Sequence, residues 1–546
     1  MMKTICILAL LFVWFGQASA QVEEHAACAA PPPYIPADLL ERPVPLRSGT
    51  GNAHESVSTS SKEAQAFYDQ ALNYLHGYVW IEASRSFHQA LRNDPELAMA
   101  YLGLSYVQTG LENPDNAKKF LEKAKLYSSK LSDSEKRRID IREKQLAALE
   151  NLEDVSKHLA FKKSIDDALA KDLNNVQLWL LRGNAEEPSA AGRGQRGTAA
   201  SVAFYQMALD IEPENGAAHH FLVHSYETIG KIDKALEHGE QWARIAPSIP
   251  HAAHMWGHDL RRVGRMDEAI EQFQKTDSLE RAYYKAENID PSFDWHHGHN
   301  LDLLSTCYEH KGQMNQAEKI IREAAGLLTM TAYDAFRNRE LPSFLIRRGR
   351  YAEAVEAAQQ LSRLNYPQSR TVSFALMGQA YIGLGKMKEA EQALEKAKRE
   401  LENVPRVVFG VSPNRTMVQP WVDALQGELL LKTDNRVEGS KMLKDVQRVL
   451  RGLPGPDNWI QSLFRLESIA RAAREAGDWE LAEYTASQML DHDSAYGGSH
   501  LAMALALQQK GDAAAATREF ETAKKYWNQA DAEVLKLTES ISTQRH

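Results

Sequence analysis

Residues 101–110 read YLGLSYVQTG and residues 376–385 read LMGQAYIGLG. In the first block Leu102, Gly103 and Tyr106 fall on one face of a helix, and Gly110 closes it. The inner glycine lets a second helix approach closely, and the closing glycine permits a left-handed turn into that helix. Working outward, glycines that end short helical segments recur at Gly77, Gly110, Gly230, Gly264, Gly312, Gly349, Gly385, Gly477 and Gly511. The steps 77→110, 230→264 and 477→511 are 33, 34 and 34 residues, and those from 312 to 349 and 349 to 385 are 37 and 36. Ala90, Ala235, Ala269, Ala317, Ala354 and Ala390 supply the small residues that the second helix needs, with Pro95 and Pro247 as stops.

A period near 34 with this pattern is that of tetratricopeptide repeats. It predicts an all-α, right-handed tetratricopeptide-type superhelical solenoid. Repeats are expected over 61–130, in a central array over 198–402, and over 418–537, where an amphipathic helix near 513–537 would form a polar cap. Between them lie 131–197, read as atypical charged helices and a Gly-rich loop, and a linker at 403–417; 538–546 is a tail.

The N-terminus, MMKTICILALLFVWFGQASA, pairs Lys3 with an apolar run and a small-residue site at Ala18–Ala20. This predicts a signal peptide over 1–20, cleaved after Ala20, and a secreted or periplasmic protein with no membrane span after cleavage. Residues 21–60, with PPPYIP and RPVP, read as a flexible leader. Cys6 would leave with the signal, so Cys28 and Cys307 do not make a disulfide scaffold. The net charge of −9 argues against nucleic acid as a partner.

Eleven of the 19 histidines lie between His219 and His310. With each turn glycine at position 15 of its repeat, positions 2, 5, 9, 12 and 13 of the inner helix face the concave groove. Before Gly264 these are His251, His254, His258, Arg261 and Arg262; before Gly230 they include His220, His224 and Glu227; before Gly312 they include His299, Asp302, Thr306, Glu309 and His310. His219 falls in a packing slot and reads as a core residue. Neighbouring inner helices pack about 10 Å apart, so imidazoles from adjacent helices can converge. Imidazole with carboxylate suits a transition metal such as Zn, Cu or Fe. The expected metal ligands are His220, His224, His251, His254, His258, His299, Asp302 and Glu227, with Arg261 and Arg262 as anion contacts. Metal-assisted hydrolysis or redox chemistry is one use of such a centre. The alternative is a non-catalytic scaffold that holds a protein or peptide in the same groove, with imidazoles gating it by pH.

Flanking features fit around this locus. Asp294, Trp295, His296 and His297 read as a lip or a capping segment, and Glu186 and Glu187 as further carboxylates. Gly192, Gly194 and Gly197 form a formal G-x-G-x-x-G, but without a preceding strand it reads as a loop. Walker, H-E-x-x-H, nucleophile-elbow and haem motifs are absent, and Cys307 lies off the groove slots. The stretches RGNAEEPSAAGRGQRG, AAHHFLVHSYE, IPHAAHMWGHDLRRVGR and DWHHGHNLDLL resemble a group of exported bacterial tetratricopeptide proteins with His-containing inner helices. The resemblance implies where a site lies, closest at His251, His254 and His258, and implies no particular reaction.

Overall fold

The computed structural model describes residues 35–187, 197–406, 413–433, 435–453 and 456–539. The signal peptide at 1–20 and most of the glycine loop (188–196) lie outside the described residues, as does the centre of the 403–417 linker. Among the described residues every regular element is a helix, from Ala37–Glu41 to Ala532–Glu539, and none is long and apolar enough to cross a membrane. The chain is an all-α tetratricopeptide-type solenoid of stacked helix pairs.

The pairing follows from the turns. Gly230, Gly264, Gly312, Gly349, Gly385, Gly477 and Gly511 all adopt φ between +71° and +88°. At Gly264 the following amide, Arg265 N, reaches back to Leu260 O at 2.9 Å, which satisfies a carbonyl that the helix end leaves open. No other atom lies within 4 Å of a Cβ built on Gly264, so the backbone conformation and not space demands glycine there. Gly77 and Gly110 work differently from the expectation. Gly77 has φ −92°, and the left-handed residues are Tyr78 and Glu112. Their closing bonds, Val79 N to Tyr74 O and Asn113 N to Gln108 O, restore a 34-residue step between turns. Gly110 is instead a contact glycine, since a Cβ there would lie 2.7 Å from the Trp80 ring.

Six helices build the site, and only these are numbered: α1 (Lys62–His76), α2 (Gly216–Thr228), α3 (Pro250–Arg262), α4 (Met266–Glu287), α5 (Trp295–His310) and α6 (Pro456–Ala476). α2, α3 and α5 are successive inner helices, and α4 is the outer partner of α3. Gly257 on α3 lets the Phe273 ring of α4 come within 3.1 Å of where a Cβ would stand.

Both ends of the solenoid return to this middle. From the N-terminal side, Ser248 N donates to Gly49 O (2.9 Å), Trp295 Nε1 to Tyr78 O (3.2 Å), and Tyr283 Oη to Glu82 (2.8 Å). Buried Arg85 bridges Glu82 and Glu287. Residues 35–60, expected as part of a flexible leader, form a packed strap from Ile35 onward, with Leu39 and Val44 buried. From the C-terminal side, Trp527 Nε1 donates to His310 O (3.1 Å) and Asp531 N to Gly312 O (3.0 Å). The expected single helix at 513–537 is therefore two, Ala513–Tyr526 and Ala532–Glu539, because Trp527 breaks away to bury against the central array.

Candidate metal centre

Each histidine helix starts at a defined point. Asn215 caps α2 by accepting Ala218 N, proline opens α3, and Asp294 caps α5 by accepting His296 N. These starts fix the phase of the imidazoles. His220 and His224 share a face of α2, with Nε2 atoms 3.0 Å apart; His254 and His258 on α3 repeat the arrangement at 3.1 Å. Edge-on and tilted ring contacts then join the helices. The His251 ring lies 5.0 Å from that of His220 and 4.7 Å from that of His296, and His254 lies 4.8 Å from His299. Three overlapping triads result: His220/His224/His251, His251/His254/His296 and His254/His258/His299, each offering one nitrogen per residue within 4.8 Å of the others.

The structure corrects the expectation of an open groove. All seven residues are buried, none more than 8% exposed. Tyr78, from the turn after α1, packs its ring 4.6 Å from His220 and 5.4 Å from His251. Trp242 stacks on His220 at 3.9 Å, and Trp295 flanks His251 and His299. The closing of both arms onto the central repeats removes the belt from solvent.

Hydrogen bonds on the far side of the rings decide where the lone pairs point. His220 Nδ1 donates to the His76 carbonyl at 2.6 Å. His254 Nδ1 donates to Asn300 Oδ1 at 2.9 Å, and Asn300 is oriented by donating its amide to Phe273 O. His296 Nδ1 donates to Glu280 at 2.5 Å, and His299 Nδ1 meets the Tyr333 hydroxyl at 2.9 Å. Glu227 faces His224 Nδ1 at 3.7 Å and His258 Nδ1 at 3.5 Å. His220 and His254 each donate from Nδ1, so each presents an Nε2 lone pair to the Nε2–H of its partner, His224 or His258, to which Glu227 makes no hydrogen bond. Each pair is thus satisfied by one N–H···N hydrogen bond, and its nitrogens are also close enough to share one metal ion. Metal–nitrogen bonds near 2.1 Å place neighbouring ligand nitrogens about 3.0–3.4 Å apart for angles between about 90° and the tetrahedral value, and both pairs lie at the short end of that range. Such outer hydrogen bonds are how proteins orient metal-bound imidazoles.

Added protons are disfavoured here, which keeps these rings in the neutral form that binds metal. Burial, reinforced by neighbouring imidazoles, holds His220, His251, His254 and His299 well below the ordinary histidine range, and burial lowers His224 to about 4. His251 has no hydrogen-bond partner on either ring nitrogen, and His296 none on Nε2. A cavity of about 440 Å³ reaches these two residues from the side of the strap and gives the middle triad an open approach.

The remaining expected residues fall into different places. Glu227 lies behind the imidazoles as a bridge between two triads, and not among their converging nitrogens. Asp302 is buried outside the triads; burial raises its pKa, with Arg337 and Arg339 acting in the opposite direction. Arg261 and Arg262 do not line an open groove: their guanidinium groups sit 5.9 and 5.0 Å from the Trp459 ring, and Arg261 is fully buried. His219 is buried away from the triads, with Nδ1 against His238 and Nε2 against Pro213 O. His296, expected at a lip, stands inside the middle triad. His297 donates to the other oxygen of Glu280 at 2.9 Å. Glu186 pairs with Lys162 and Arg182, and Cys307 is a buried free thiol.

Sequence reasoning missed Asp457. It stands at the start of α6, with its carboxylate oxygens 3.6 Å from His258 Nε2 and 3.9 Å from His299 Nε2. Nothing near it in the chain carries the repeat phase that singled out the histidines. Its position is set by the return of the C-terminal array.

Residues 373–399 match the family model of the tetratricopeptide repeat. No curated protein matches the chain. Among solved structures, the human IFIT1 dimer with PPP-AAAA is 12% identical, with 80% of this chain and 91% of that one covered at a TM-score of 0.39. The Cut9–Hcn1 hetero-tetramer of the APC/C is 14% identical over 87% and 83% of the two chains, at 0.34. A tetratricopeptide repeat protein from Parabacteroides merdae is 13% identical over 60% and 98%, at 0.33. The repeat that the glycine spacing points to is thus matched directly at 373–399.

Proposed function

We propose that this chain binds transition metal, Zn, Cu or Fe, inside a closed helical-repeat solenoid through its histidine belt. The observation that carries the reading is the convergence of seven buried imidazoles into triads whose nitrogens lie within 4.8 Å of one another, with both His251 nitrogens and His296 Nε2 unpartnered at the centre. His251 and His254 each belong to two triads, so the outer triads fill at the expense of the middle one and full loading is two ions. His220, His224 and His251 hold one; His254, His258 and His299 hold the other, with Asp457 as a carboxylate within reach. The cavity at His251 and His296 leaves room for a small molecule to approach, which is what a catalytic use of the centre requires. A repeat scaffold of this kind also suits protein partners, and the burial of the belt directs that role to other faces of the solenoid. Export through the signal expected at 1–20 belongs to the same reading and is checked by N-terminal sequencing of the mature protein.

The deciding experiment is metal analysis of chelator-stripped protein reloaded separately with zinc, copper and iron, then desalted. About two equivalents of at least one metal are expected, falling to about one in a His254→Ala/His258→Ala variant of unchanged helicity. Retention below a fifth of an equivalent for all three metals overturns the proposal.

A further inference from the structure

The three triads differ in how an ion would enter and leave them. The middle one shares His251 with the His220/His224 triad and His254 with the His258/His299 triad, whereas His296 belongs to it alone. An ion held there can move to either side by exchanging ligands while one imidazole stays bound. It keeps His251 as His220 and His224 replace the other two, or it keeps His254 as His258 and His299 do so. Zinc-type ions pass through five-coordinate arrangements, so such an exchange need not release the ion. His296 is the ligand given up on both routes. Its ring lies 4.7 Å from that of His251 and 4.5 Å from that of His254, and Glu280 engages its Nδ1, which leaves Nε2 for the ion.

Access singles out the same triad. His251 and His296 line the cavity of about 440 Å³, and the other five imidazoles of the triads do not. Arg47, Ser48 and Thr50 of the strap form part of its wall. Six waters at about 30 Å³ each fill about 180 Å³, so the cavity has room for a hydrated ion. An ion arriving there breaks no hydrogen bond to gain its first two ligands, because both nitrogens of His251 and Nε2 of His296 are unpartnered. The pairs His220/His224 and His254/His258 must first give up the N–H···N bond that joins them. We propose that the middle triad is the port of the metal centre, a transit site that takes an ion from the cavity and passes it to either outer triad, with His296 as the transit ligand. The proposal rests on the metal-binding reading above and adds to it a route and an order of filling.

The test follows the loading of metal-free, full-length protein with zinc, copper and iron in separate runs. Excess chelator captures free metal at set times, and the metal kept by the protein is counted after desalting. His296→Phe keeps a ring in place and leaves His297 on Glu280. In this variant uptake and release are both expected to slow tenfold or more, while the final content stays near two ions and affinity stays within threefold of the parent. A ligand of a resting site would instead change content or affinity. Ser48→Trp, at an exposed position of the cavity wall, should slow uptake in the same way, and it serves as the test if His296→Phe does not fold. His299→Phe, by contrast, should halve the final content and leave the initial rate within twofold. Unchanged uptake in either folded port variant, or a fall in content or affinity with His296→Phe, overturns the transit role and leaves the metal centre standing. A parent that retains none of the three metals overturns the centre, and the port with it.

Discussion

Acid tests the buried centre most directly, because an open histidine site and a closed one lose affinity to very different extents. A freely solvated imidazole with a pKa of about 6.5 goes from about one-quarter protonated at pH 7 to about 97% at pH 5. Each such ligand then costs about 1.4 log units of metal affinity over the interval, and three cost about four, since a ligand must be deprotonated to bind. His224, held at about 4 by burial, remains about one-tenth protonated at pH 5 and costs less than about 0.1 log unit. Burial drives His220, His251, His254 and His299 in the same direction. The zinc dissociation constant, measured by competition with a chromophoric chelator and corrected for the chelator's own protonation, is therefore expected to change by less than tenfold between pH 7 and pH 5. Circular dichroism on the same samples must show intact helices. A loss of affinity near 10⁴-fold with unchanged helicity would refute the claim that these imidazoles are held neutral by a dry interior.

Two further outcomes follow from the same contacts. In the metal-free chain the depressed imidazoles reverse the benefit: above about pH 6.5 they are neutral in both folded and unfolded states, and below it the unfolded state takes up protons that the folded one excludes. His76 and His224, both held at about 4, should each remove about 2 kcal/mol of stability by pH 5. The urea midpoint of apo protein should fall clearly between pH 7 and 5, and an unmoved midpoint would argue that the rings are solvated. Asn300→Leu strips the acceptor from His254 Nδ1 and the donor from Phe273 O, so it should weaken metal binding about 10–100-fold and destabilise the apo chain by about 1–3 kcal/mol. Equal zinc affinity in this variant and the parent would mean that Asn300 does not orient the ligand.

The repeat was legible in the sequence because its cause is local. A glycine at φ near +72° and a small residue under a ring act within one helix pair, and those constraints recur at a fixed step. Where one residue type serves two needs, the local reading slipped. Gly77 and Gly110 looked like turn glycines, but the structure places the left-handed turn at Tyr78 and Glu112 and uses Gly110 for contact with Trp80. The histidine phase was legible for the same reason, since positions 2, 5 and 9 of an inner helix share a face whatever that face meets. Asp302 shares that phase and yet lies outside the triads, where its carboxyl is buried under the influence of Arg337 and Arg339.

What the face meets depends on curvature added up over all the repeats, and no local pattern records that sum. The strap at 35–60, Tyr78 and Asp457 reach the belt from opposite ends of the chain, and Asp457 lies about 200 residues beyond the His258 it faces. The same imidazoles in an open concave groove would be hydrated, protonatable near pH 6.5 and available to a passing peptide. Closed in, they lose water before they gain a ligand, and the lost hydration is made up unevenly: His220 and His254 keep hydrogen bonds on both nitrogens, while His251 has none on either and His296 none on Nε2. The energetic cost of the uncompensated nitrogens then becomes available as affinity for whatever cation relieves it. On this argument, opening the solenoid should weaken metal binding without touching a ligand. Trp527→Ala, which releases the C-terminal array from His310 and Gly312 and with it Asp457, should lower zinc affinity as measured by the same chelator competition, and an unchanged affinity would separate the closure from the site.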